Sequence, residues 1–176
     1  QNSTMPQAQK DVCPQCRQEF PETAEEQVKQ AREWVGKGKP WAETFLANRY
    51  KFGKGVPQSY KEAIKYYNMA VKQGDPNAMY DLAGMYVSGQ GVAESFKKAA
   101  KLSALAANQG HARAQYNLGH SYYHGICVAQ SNDMARKWWL KAALQGAEDA
   151  VQHLKILDQQ EGKTTPTLPC CATCGT

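Results

Sequence analysis

The sequence predicts an all-α fold, a solenoid of three helix hairpins with a cap helix at either end. Three observations predict it. Residue types recur at a fixed step of 36 positions without a gap. Within each unit the apolar residues fall at i, i+4 spacing, the period of a helix face. The hydrophobic set, 42% of the chain, is rich in Ala, Tyr and Trp and poor in Phe. Small Ala side chains beside large aromatics suit helices that approach closely with bulky wedges between them.

The step is read directly from the residues. Ala42, Ala78, Ala114 and Ala150 are each 36 apart, as are Leu46, Leu82, Leu118 and Leu154. Tyr50, Tyr86 and Tyr122 keep it, then Gly53, Gly89 and Gly125, then Val56, Val92 and Val128. Ser59, Ser95 and Ser131 follow, then Ala63, Ala99 and Ala135, then Ala70, Ala106 and Ala142, and Gly74, Gly110 and Gly146 close the series.

Taken in order, residues 1–22 are an N-terminal tail with a Cys-x2-Cys knuckle, 23–160 the repeat region, and 161–176 a C-terminal tail with a second knuckle. Residues 23–35 read as an entering helix, with Trp34 and Val35 in register with Ala70 and Val71. The repeats run over about 41–76, 77–112 and 113–148. The first helix of each carries Ala, Leu and Tyr on one face and ends at a Gly, where a left-handed cap carries little strain. Ser59, Ser95 and Ser131 stand where the second helix needs an N-cap. That helix runs to a Gln-Gly pair: Gln73-Gly74, Gln109-Gly110 and Gln145-Gly146. Its inward stripe is expected at Ala63, Tyr66 and Ala70, then Ala99, Leu102 and Ala106, then Ala135, Trp138 and Ala142. Residues 147–160 read as a closing helix that keeps Ala150 and Leu154 and turns polar afterwards, as an end cap requires.

The unit A-x3-L-x3-Y-x2-G-x-G-V, followed by S-x3-A and a closing Q-G, resembles the Sel1-like repeat over roughly residues 41–154. Tetratricopeptide repeats are similar hairpins, usually 34 residues long and without the Gly-x-Gly-Val loop. The third unit departs from the pattern, with Ile126-Cys127 in place of x-Gly, and a differently shaped loop is expected there. The resemblance implies a right-handed αα superhelix used to assemble protein complexes, without catalysis, in which first helices line the concave side. Three positions on that face vary from unit to unit: Thr44, Tyr80 and Tyr116; Asn48, Gly84 and His120; Lys51, Val87 and Tyr123. The candidate partner-binding residues are therefore Tyr80, Tyr116, His120 and Tyr123, with Asn48 and Lys51. Exposed Tyr combines contact area with a hydroxyl and is a common interface anchor. The competing reading makes the same residues partly buried packing.

The six cysteines are grouped rather than scattered. Cys13-Pro-Gln-Cys16 and Cys171-Ala-Thr-Cys174 are two knuckles, each half of a tetrahedral zinc site. Three readings stay open: one joined four-cysteine site tying the ends together, two truncated fingers, or disulfides in an oxidising compartment. Cys13-Pro-Gln-Cys16-Arg17 resembles the closing knuckle of a RING-type finger, and Cys170-Cys171-Ala-Thr-Cys174-Gly175 the opening of a MYND-type finger. In either zinc reading the ligands are Cys13, Cys16, Cys171 and Cys174, with Cys170 spare and Cys127 a small loop residue.

Other chemistry finds little support. The formal charge is +5 and the lysines are spread; the densest group, Lys97, Lys98 and Lys101 beside Phe96, reads as a solvated helix face rather than a nucleic-acid surface. No run of about 18 apolar residues is present, so no membrane-spanning helix is expected. No signal peptide is read, and a chain opening on Gln1 is expected to be processed or cut from something longer. His120 and His124 stand i, i+4 but lack the Glu of the zinc-protease motif, and read as a surface pair. The recurring Gly53, Gly55, Gly89 and Gly91 are turn residues, not a phosphate cradle. The leading expectation is a non-enzymatic scaffold or assembly subunit that binds another protein. The alternatives are the adaptor or substrate-binding part of a RING-type ubiquitin ligase, and a structural subunit of a large organellar complex. Reduced cysteines favour the cytoplasm, and an organelle with bound zinc fits equally.

Overall fold

The computed structural model describes residues 23–162. They form α1 (Ala24–Gly36), α2 (Pro40–Phe52), α3 (Tyr60–Lys72), α4 (Pro76–Ser88), α5 (Phe96–Asn108), α6 (Ala112–His124), α7 (Asn132–Ala143) and α8 (Glu148–Glu161), with no strand among the described residues. The fold is all-α, built from helix hairpins. The chain divides into two compact units between Asp75 and Pro76, and one local grammar builds both. Ser59, Ser95 and Ser131 each accept a hydrogen bond from the backbone N–H three residues on, at 3.3, 3.4 and 3.3 Å. Their own backbone N–H groups donate to the carbonyls of Tyr50, Tyr86 and Tyr122, each at 2.9 Å. That bond closes the hairpin loop at one length in all three repeats. First helices end on left-handed caps, Gly53 at φ 67° and Gly125 at φ 70°. At the other end of each hairpin the N–H of Asp75, His111 and Ala147 bonds back to Ala70, Ala106 and Ala142.

In the first unit Val28, Ala31 and Leu46 form a core to which Val35, Phe45, Val56 and Tyr66 add half-buried surface. Ala42, Ala63 and Ala70 are fully buried. Small side chains at these positions let packed helices approach closely. The bulk sits one residue later than the sequence suggests: Tyr67, not Tyr66, is fully buried, and its hydroxyl donates to Asn48 Oδ1 at 2.9 Å. In the third hairpin both residues are buried, Trp138 at 7% exposure as expected and Trp139 at 0%. An i, i+3, i+7 stripe and an i, i+4, i+7 stripe are both helical, so periodicity alone does not choose between them.

The second unit is centred on Ala135, Trp139, Ala142, Ala150, Leu154 and Leu157. The Trp139 indole N–H donates to the Tyr116 carbonyl at 3.2 Å, and the ring lies against Gly119, where a Cβ would stand 2.5 Å from Trp139 Cδ1. The middle hairpin carries Ser103 at the wedge position and buries Met79 and Met85 nearby in sequence, side chains adaptable enough to fill irregular space. Two expectations are corrected. The loop of the third unit keeps the left-handed conformation of its glycine counterparts, with Cys127 at φ 60°. The closing helix does not turn polar after Leu154: Leu157 is fully buried and Asp158 is 2% exposed. Arg136 of α7 bonds Asp158 and, at 2.7 Å, Glu161, so the cap helix is fastened through its last turn by charge.

Candidate interaction surface

The sequence-predicted residues Tyr80, Tyr116, His120 and Tyr123 belong to the second unit, and all four are half-buried. Each hydroxyl of the three tyrosines reaches a residue 37 positions further on. Asn117 Nδ2 donates to Tyr80 Oη at 3.5 Å, Tyr116 Oη lies 3.5 Å from His153 Nδ1, and Tyr123 Oη donates to Gln160 Oε1 at 2.8 Å. A step of 37 is one repeat plus one residue, so each tyrosine of one first helix meets the neighbouring side chain of the next. The rings are also packed: Tyr80 stacks on His111 with centroids 4.5 Å apart, and Tyr116 meets His153 edge-on at 5.4 Å. The outcome is a set of half-buried aromatic side chains held by hydrogen bonds and ring contacts.

His120 lies between His124, at 4.3 Å between ring centroids, and His153, at 6.2 Å. Burial first, then His124 and His153, holds its pKa below the ordinary imidazole range. The group is neutral near pH 7. His153 Nδ1 lies 2.9 Å from the Asp149 carbonyl, which only accepts, so this nitrogen carries the hydrogen. Burial, then Asp149, raises the Tyr116 phenol above its usual value. Among the described residues no three His, Cys, Asp or Glu side chains are placed to hold a metal ion.

Asn48 and Lys51 belong to the first unit. Asn48 has both ends of its amide engaged, Nδ2 donating to the Thr44 carbonyl at 3.1 Å and Oδ1 accepting from Tyr67. Lys51 Nζ lies 5.2 Å from the Phe52 ring centroid. Thr44, which varies in the same register as Tyr80, donates to Asp75 Oδ2 at 2.5 Å. The predicted ligands Cys13, Cys16, Cys171 and Cys174, with Cys170, lie outside the described residues. The surface also includes His111, Asn117, His153 and Gln160, which the sequence did not mark. For Asn117, His153 and Gln160 the signal is the 37-residue offset, which a search for identities at 36 passes over; His111 stands 31 residues after the Tyr80 it stacks on.

The model of the Sel1 repeat family matches residues 42–75, 76–111 and 112–146. The chain belongs to the Sel1 repeat family. Proteins with Sel1 repeats generally serve as protein-interaction scaffolds. The Sel1 chain is similar to a solved Sel1 repeat protein from Oxalobacter formigenes, at 32% identity and a TM-score of 0.78 over 81% of its length. It is also similar to c5321, a protective antigen present in uropathogenic Escherichia coli strains, at 33% identity and a TM-score of 0.73 over 82%. The chain spans 41% of the first of these structures and 31% of the second. Helicobacter pylori cysteine rich protein B shares the fold, with a TM-score of 0.60 at 23% identity, covering 76% of this chain and 98% of its own. No curated protein matches the chain. Among the described residues no helix is long and apolar enough to cross a membrane.

Proposed function

We propose that this Sel1-repeat chain is a protein-interaction scaffold that acts without catalysis, and that a partner protein lies on the first-helix face bearing Tyr80, Tyr116, His120 and Tyr123. The observation that supports this reading is the row of half-buried rings, each tied to the following first helix. Large side chains already held in one rotamer lose little entropy when a partner covers them. A neutral His120 lets the same surface be covered without burying a charge. Asn48 and Lys51 continue the register in the first unit, and Lys51 is the one with its polar end uncommitted to a backbone bond. The ligase-adaptor reading rests on Cys13 and Cys16, and zinc on those two with Cys171 and Cys174, all outside the described residues. A zinc-to-protein ratio tests it, one metal per chain favouring a joined site.

The test of the scaffold reading is partner capture by crosslinking and mass spectrometry from the source organism. Wild type is compared with a chain carrying Tyr80→Ala, Tyr116→Ala and Tyr123→Ala, its helicity checked by circular dichroism. Loss of a stable partner from a folded variant supports the reading. An unchanged partner set removes this face from consideration.

A further inference from the structure

Every hairpin closes on a glutamine, and two of the three are tied down in the same way. Gln73 Nε2 donates to Glu43 Oε1 at 2.6 Å, and Gln145 Nε2 donates to Gln115 Oε1 at 2.7 Å. Each tie reaches back 30 residues. The same register in the middle hairpin brings Gln109 to Met79, whose buried thioether offers no comparable acceptor. The amide of Gln109 is thereby released from the tie its two counterparts make.

Gln109 borders a cavity of about 580 Å³ whose wall also carries Asn77, Tyr80, Asp81, Arg113 and Gln145. That volume lies within the range of ligand sites. The described ion pairs do not include Arg113. Its guanidinium is a planar fork that matches a carboxylate. A primary amide such as Gln109 presents a donor and an acceptor side by side, the complement of a peptide group. Tyr80, fixed by its stack on His111, supplies a flat aromatic wall. Asp81 sets a polarity, since a bound carboxylate is repelled there and drawn to the Arg113 end.

We propose that this cavity binds an extended acidic segment of a partner polypeptide, with a Glu or Asp carboxylate on Arg113 and the adjoining peptide group on the Gln109 amide. The proposal rests on the scaffold reading and names the chemistry of the segment that is held. Met79 is the cause of the specificity: it removes the internal partner of Gln109 and leaves recognition to an outside one.

The experiment is an amide-resolved NMR titration of the full chain with three capped peptides, acetyl-Ala-Ala-Glu-Ala-Ala-amide and its Lys and Gln counterparts. The Glu peptide is expected to shift Gln109, Arg113 and Tyr80 signals, and to bind about tenfold more tightly than the Lys peptide. Arg113→Ala is expected to remove that preference, and Gln109→Ala to weaken both the Glu and Gln peptides. Equal binding of Glu and Lys peptides, shifts confined to other residues, or an undiminished preference in Arg113→Ala overturns the proposal. A flat titration alongside partner capture that is lost on substituting Tyr116 and Tyr123 sinks the cavity alone. Capture that survives those substitutions sinks the scaffold face itself, whatever the peptides do.

Discussion

Gly119 and Trp139 are fitted to one another. The equivalent residues in the first repeat are Ala47 and Tyr67, and the larger indole is accommodated where a Cβ has been given up. Gly119→Ala should therefore lower stability by about 1–2 kcal/mol, overpacking outweighing the better helix propensity of Ala. Denaturant unfolding checks it, and Trp139→Phe in the same chain should recover part of the loss. Glu43 carries the opposite lesson. It is 2% exposed, one carboxylate oxygen has no partner among the described residues, and burial first, then Asp75, raises its pKa while Gln73 lowers it. A carboxyl whose folded pKa is raised contributes its stability below the ordinary value, and that contribution is lost as pH rises through the folded one. The wild-type chain is thus penalised near neutrality. Glu43→Gln, which copies the Gln115–Gln145 pair of the third hairpin, should add about 1 kcal/mol at pH 7. The gain should shrink as pH falls toward 4.5, and a gain independent of pH would show that the carboxyl is not the cause.

At the scale of elements, the serine caps, glycine stops and closing Gln-Gly pairs were legible because each performs a local task that only a few residue types perform. The wedge position of the first repeat was not, because Tyr66 and Tyr67 are adjacent aromatics and the helix rotation that selects one is set by neighbouring helices. Cys127 was read as a change of loop. The backbone bonds on either side hold the turn in its left-handed shape, and the cysteine adopts it. The last helix was read as a plain polar cap, since a buried aspartate is recognisable only once its arginine is known. Arg136 bears a charge that burial works against and that Asp158 and Glu161 more than restore, so its pKa is raised. Arg136→Ala leaves Asp158 buried without a counter-charge and should cost about 3 kcal/mol. Hydrogen exchange should localise that loss to α8, and pairing Arg136→Met with Asp158→Leu should return most of it.

For the whole molecule, the fold was legible from counting because hairpins of this kind make mostly near-neighbour contacts, so one unit's pattern is a template for the next. The surface was legible only in part. Variation at Tyr80, Tyr116, His120 and Tyr123 marked the face, while its supports Asn117, His153 and Gln160 stand one residue off the repeat step. The untied amide of Gln109 was invisible for a related reason: it follows from Met79, an apolar residue whose significance is the bond that it cannot make. A partner held on the first-helix face should be reached from that face directly. The most direct measurement places a photo-crosslinking residue at Tyr123 in one chain and at Leu105 of α5, which is 50% exposed, in another. One protein partner should be crosslinked from position 123 and none from 105. A partner captured from 105 and not from 123 would contradict this placement.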